Sequence, residues 1–186
     1  MSLQAYSDFI IKLARLSIIE GFTHQHPCKP DPKTTPAPLL EKGACFVTLN
    51  FNRQLRGCIG SLEAYQPLAD DITNNAYAAA FSDPRFPPLN RYEVDHVDIE
   101  VSILSAQEAI EFTDEEDLLQ QLRPDADGLV IEDQSKRGTF LPTVWESLPE
   151  KKDFLNHLKL KAGLPEDYWS DSLRVYRYST ELITKN

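Results

Sequence analysis

Two clusters of proline set the limits within which this chain can fold. Pro27, Pro30, Pro32, Pro36 and Pro38 fall within residues 23–38, and Pro84, Pro87 and Pro88 within residues 83–88. Proline lacks the amide hydrogen that a helix or an interior strand needs, and it biases the residue before it toward extended backbone. Regular structure therefore has to be built on either side of these segments. We read 23–38 as an extended surface connection, and Asp83-Pro84-Arg85-Phe86-Pro87-Pro88 as a rigid loop that holds its side chains still.

Between the prolines the hydrophobic periods change type. Residues 4–21 carry Phe9, Ile10, Leu13, Leu16 and Ile19 at helical spacing, with Gly21 as the expected C-cap. Gly43–Leu49 and Leu55–Ile59 have strand composition around a turn at Asn50–Gln54, which predicts a hairpin. Pro67 stands at a first-turn position of a second helix that ends near Ser82 and presents an alanine face, Ala76, Ala79 and Ala80. Val97–Leu104 alternates apolar and polar residues, as a strand does with one face on a core. Further on the pattern predicts a helix over Asp114–Leu122, a strand over Gly128–Glu132 and a short helix after Pro142. A helix stopped by Gly163 and a final strand over Leu173–Tyr178 follow. Hairpins and alternating strands interleaved irregularly with helices favour an α+β fold on a largely antiparallel or mixed sheet over a doubly wound parallel one.

The 186 residues suit one domain or two intimate lobes. A formal charge of −10 argues against nucleic acid and against an anionic membrane surface, both of which require excess cations. The early apolar stretch Phe9–Ile19 is interrupted by Lys12 and Arg15, so neither a signal peptide nor a membrane span is expected. Three cysteines without a C-x-x-C pair suit a cytoplasmic protein with reduced thiols.

Chemistry is most concentrated in Leu55-Arg56-Gly57-Cys58-Ile59-Gly60-Ser61, where glycines flank a cysteine beside an arginine at the end of a predicted strand. Glycine lets a ligand approach the backbone closely. One reading makes Cys58 a thiolate nucleophile favoured by Arg56, with the Gly57–Gly60 amides forming an anion nest. The other makes Cys58 a buried strand residue beside a tight turn. A base for the thiol would come from His24, His26, His96 or His157, and the sequence does not choose among them. Arg56, Arg85 and Arg137 each adjoin a glycine- or proline-constrained segment, where a guanidinium is either preorganised for an anion or paired with a local acid such as Asp83 or Glu63. His24-Gln25-His26-Pro27-Cys28 matches no structural zinc spacing, and no metal is assigned.

Taken in order, these blocks resemble the AMMECR-type domain family, whose prokaryotic members are called AmmeMemoRadiSam system protein A. The matching segments are Gly43–Leu49, the hexapeptide Leu55–Gly60, Asn75-Ala76 through Asp83-Pro84-Arg85-Phe86-Pro87-Pro88-Leu89, Ile99–Leu104, Gly128–Ile131, Gly138-Thr139-Phe140-Leu141-Pro142 and Lys161–Pro165. The hexapeptide is the family hallmark. The resemblance implies a single domain over residues 1–186, built as two unequal lobes with a hexapeptide-lined cleft between them. It supplies no settled reaction; our own reading of the hexapeptide expects Cys58 and Arg56 as catalytic residues, with Gly57, Ile59, Gly60 and Arg85 binding a small anionic ligand. No cofactor follows from it. The alternative reading is a non-catalytic binding or scaffold module, and the resemblance implies a Memo-type or radical S-adenosylmethionine protein as its partner. Thr143 departs from the pattern, since many relatives carry Gln after Phe-Leu-Pro.

Overall fold

The computed structural model describes residues 2–185. After a 3₁₀ turn at Gln4–Tyr6 the order is α1 (Ser7–His24), α2 (Ala37–Leu40), β1 (Lys42–Gly43), β2 (Cys45–Phe51), β3 (Gln54–Gly60), β4 (Gln66–Pro67), α3 (Leu68–Phe81), β5 (Asp98–Leu104) and β6 (Glu108–Ala109). Then come α4 (Glu115–Gln121), β7 (Gly128–Asp133), β8 (Lys136–Phe140), α5 (Lys151–Lys161), β9 (Arg174–Tyr178) and β10 (Thr180–Ile183). The chain divides into two compact units, one holding the residues up to Leu104 together with those from Glu181 onward, the other Ser105–Thr180. The fold is α+β, with antiparallel pairing in the β1–β4 ladder and through β3, β2 and β5 and β6, β9, β7 and β8.

In the first unit a four-stranded sheet of order β10-β5-β2-β3 lies under α1 and α3. Strand alternation explains which residues it buries. Cys45, Val47 and Leu49 of β2 and Ile99, Val101 and Ile103 of β5 meet Ile10, Ala14, Ile18, Ile72, Ala76 and Ala79 from the helices, while Phe46, Thr48, Glu100 and Ser102 point the other way. The β2–β3 hairpin closes through Asn52 and Arg53, both in left-handed backbone (φ 52° and 64°), the type I′ geometry whose twist matches the strands. A polar knot ties the sheet to α3. Buried Asp71 accepts from the Cys45 amide (2.9 Å), the Ser61 hydroxyl (2.7 Å), Gln66 (2.9 Å) and Asn75 (2.9 Å).

The second unit carries the sheet β6-β9-β7-β8. Leu129, Ile131 and Val175 pack with Leu118 of α4, Leu158 of α5 and the Trp145–Phe154 stack, whose rings lie 3.7 Å apart. Asp114 caps α4 by accepting from the Asp117 amide (2.8 Å), which satisfies one donor that the first turn leaves open.

Some sequence expectations are corrected. Gly21 does not end α1, which runs on to His24 and is closed by Gln25 in left-handed backbone, its amide donating to the Gly21 carbonyl (3.0 Å). Glycine is required at 21 because a Cβ there would stand 2.5 Å from the Phe81 ring and 2.8 Å from that of Tyr77. Segment 23–38 is less uniformly extended than its prolines suggest. Thr23 and His24 still belong to α1, α2 begins at Ala37, and Cys28 is buried in the core. The turn after Pro142 is 3₁₀, spanning Pro142–Glu146, and Thr143 is exposed on it. Strands β8 and β10 escaped the reading because Lys136-Arg137-Gly138 lacks an apolar alternation and β10 is only four residues long. Among the described residues no helix is long and apolar enough to cross a membrane.

Candidate functional site

The hexapeptide Leu55–Gly60 forms most of β3, an edge strand of the first sheet. Edge strands expose backbone donors and acceptors that invite unwanted pairing. Here the rigid loop after α3 supplies the missing partners with side chains. Asp83 Oδ2 accepts from the Cys58 amide (2.9 Å), and Arg85 Nη2 donates to the Cys58 carbonyl (3.1 Å). Arg85 is itself held by Asp83, through Nε to Oδ1 (3.0 Å) and Nη2 to Oδ2 (2.7 Å). The Asp83–Arg85 pair thus stands in for a neighbouring strand at Cys58.

Arg56 is occupied in a similar way. Nε and Nη2 grip the two oxygens of Glu93 (2.8 and 3.1 Å), while Nη1 donates to the Pro87 carbonyl (2.8 Å) and Nη2 to that of Pro88 (3.2 Å). Glu93 is buried and is oriented by the Asn90 amide, which donates to Oε2 (2.7 Å) in a capping box. The guanidinium expected to stand beside the thiol is therefore spent on holding the proline loop. Gly57 faces α3 so closely that a Cβ would lie 2.1 Å from the Ala79 carbonyl oxygen. No convergent nest of amides exists over Gly57–Gly60, because an extended strand turns successive amides to opposite sides and the Cys58 amide belongs to Asp83.

Cys58 differs from the other two thiols. It is half-buried, whereas Cys28 and Cys45 are buried, and burial raises both of those thiols above the ordinary range. Its register partner is Thr48, whose hydroxyl donates to Sγ at 3.3 Å, and Thr48 is paired on its other side with Glu100. Glu100, Thr48 and Cys58 thus form a line across three strands on the face away from α1 and α3. Asn50 donates to Glu100 Oε1 at 3.2 Å. The chemistry available is a thiol with a hydroxyl donor beside it, an exposed guanidinium at Arg85, and a carboxylate one strand further on.

Each expected site residue now has a place. Arg56, Gly57, Cys58, Ile59, Gly60 and Arg85 all lie in the first unit, with Ile59 packed on its core and Gly60 against the Phe46 ring. Arg137 belongs to the second unit, 3.7 Å from Glu132. Of the histidines, His26, His96 and His157 direct Nδ1 to the carbonyls of Pro27, Tyr92 and Asp153, and His24 stacks on His26 at 5.6 Å. Two side chains meet the Cys58 side chain: the Thr48 hydroxyl donates to its sulfur, and the Arg85 guanidinium interacts with it. Thr48 and Glu93 were missed, although Asn90-Arg91-Tyr92-Glu93 has the N-cap-x-x-Glu spacing that marks a capping box.

The two loop carboxylates predict an acid response. Arg85 holds Asp83 well below the ordinary range against the opposing effect of burial, and the Cys58 amide adds to it. Arg56 likewise holds Glu93 below the usual glutamate value of 4.5. Lowered carboxylates bind protons more weakly in the folded state, so their stabilisation is complete above the unfolded values and is lost progressively as pH falls from these through the lowered, folded ones. The urea midpoint of the first unit should be flat from about pH 8 to 6 and fall below about pH 5. Asp83→Asn should flatten part of that fall.

The same arrangement of segments occurs in other chains. A protein of Thermofilum pendens is 36% identical, with the match covering 95% of this chain and 88% of its own. Protein MJ0810 of Methanocaldococcus jannaschii is 38% identical over 80% of this chain and 76% of its own. The crystal structure of PH0010 from Pyrococcus horikoshii superposes with a TM-score of 0.89 at 35% identity, covering 96% of this chain and 91% of that one. The AMMECR1 family profile matches residues 11–183, which takes in the hexapeptide strand, the Asp83–Pro88 loop and all of the second unit. This chain belongs to the AMMECR1 family.

Proposed function

We propose that the Thr48–Cys58 face is a thiol site for a small anionic electrophile, with Cys58 as the nucleophile. The observation that carries this reading is the Thr48 hydroxyl donating to a half-buried Sγ at 3.3 Å, since a donor at sulfur orients a thiol and favours its nucleophilic form. The Cys58 thiol would lose its proton to water and its sulfur give an electron pair to an electrophilic carbon of the ligand, forming a C–S bond while the leaving group departs with the bonding pair. Arg85, whose guanidinium is half-exposed, meets the ligand's anionic group. Arg56 is a positioning residue, acting through the proline loop that carries Arg85.

A second reading is favoured by the engagement of Arg56 and the close packing of Gly57, which make the hexapeptide architectural. In that case the domain is a non-catalytic module whose partner is of the Memo or radical S-adenosylmethionine type. Iodoacetamide labelling of the folded protein, resolved by peptide mass spectrometry, separates the two. Under the thiol reading Cys58 labels at least about tenfold faster than Cys28 and Cys45, and Thr48→Val slows it by a similar factor. Protection of Cys58 until unfolding, or labelling indifferent to Thr48→Val, supports the module instead.

A further inference from the structure

The β2–β3 turn carries an unexpected residue. Position 53 has φ 64°, where glycine is free of strain and an arginine is not, yet arginine stands there. Its side chain lines a concavity of about 430 Å³ at this end of the sheet, together with Asn50, Asp98, Glu100, Arg15 and Lys185. That volume lies in the range of small-molecule sites, about 300–1,000 Å³. Two of these groups are already spent or shared. Arg15 gives its terminal nitrogens to the Val94 and Val97 carbonyls, and Asn50 covers one oxygen of Glu100.

What is left is a set of unspent charges of both signs. No ion pair joins Arg53, Lys185 or Asp98 to one another or to any other side chain among the described residues. A purely anionic ligand would meet Asp98 and Glu100, on a chain already at −10, and a purely cationic one would meet Arg53 and Lys185. A ligand carrying both charges a few bonds apart satisfies every group. We propose that this concavity binds the zwitterionic head group of a free amino acid, with the carboxylate on Arg53 and Lys185 and the ammonium between Asp98 and the uncovered oxygen of Glu100. The site shares Glu100 with the line that runs through Thr48 to Cys58, but its occupancy does not depend on the thiol reading.

The test is an NMR titration of the full chain with L-glutamine and L-leucine, beside N-acetyl-L-glutamine, which lacks the ammonium, and L-glutaminamide, which lacks the carboxylate. The expected result is perturbation of the backbone amides of residues 50–54 and 98–100 by both amino acids, with each blocked analogue at least about tenfold weaker. Arg53→Gly removes a charge and relieves the turn, so it should lose about tenfold in affinity while melting at, or about 1–3 °C above, the wild-type temperature. Asp98→Asn should erase the discrimination against N-acetyl-L-glutamine. No perturbation by either amino acid, equal binding of the blocked analogues, or undiminished binding by Arg53→Gly would overturn the proposal.

Discussion

Gly57→Ala is expected to cost about 4 kcal/mol or more, a large fraction of the roughly 5–15 kcal/mol that holds an ordinary domain folded. The added methyl group would sit 2.1 Å from the Ala79 carbonyl oxygen, inside any permissible contact. That oxygen is helix backbone, and α3 is pinned to the sheet by the Asp71 knot and by the burial of Ile72, Ala76, Ala79 and Ala80. A flexible side chain could swing aside, but a helix has to move as a body, losing contacts along its length. Gly60→Ala provides the comparison. Its Cβ would meet the Phe46 ring at 2.3 Å and the Cys45 carbonyl oxygen at 2.7 Å, a less severe backbone overlap than at Gly57, so a smaller loss of about 1–3 kcal/mol is expected. Urea unfolding followed by circular dichroism measures both. A Gly57→Ala protein with the wild-type midpoint would mean that α3 is not seated on β3 as described.

Glu93→Ala is expected to be the next most damaging change, at about 3 kcal/mol. It removes the one carboxylate that grips the Arg56 fork, and the Arg56 side chain, only 13% exposed, would keep its charge without a counter-ion. The loss should spread along the loop, because the same guanidinium holds the Pro87 and Pro88 carbonyls. Amide exchange at Cys58 and Asn90 should therefore accelerate, since their hydrogen bonds end on Asp83 and Glu93. Adding Arg56→Met should recover part of the stability, as replacing both members of a buried pair by apolar groups removes the uncompensated charge. If Glu93→Ala alone leaves the urea midpoint within about 0.5 kcal/mol of wild type, the pair is not a structural anchor.

These two residues bear differently on what the hexapeptide is for. Gly57 and Arg56 answer demands of packing and loop attachment, whereas Cys58 satisfies neither with its side chain. Its backbone serves the edge of the sheet, and its sulfur is left beside Thr48 on the face away from the helices. An arginine two positions before a cysteine suggests a thiolate partner, but residues on one face of a strand need not share a partner. The side chain two positions before the thiol reaches Glu93 and the proline loop instead.

Local order was decided by the sequence alone. The period of two over Val97–Leu104, the helical spacings of α1, α3 and α5 and the proline stops located most elements to within a few residues, because each depends on neighbours along the chain. The membership of the site was decided only by tertiary structure. Thr48 and Cys58 are 10 residues apart, Cys58 and Asp83 25, and Arg56 and Glu93 37. No local pattern encodes which acid an arginine will meet, or that Gly57 must be bare because a helix carbonyl lies across from it. Those facts exist once the sheet register and the seating of α3 bring distant segments within a few ångströms, and the energy of that packing selects the partners.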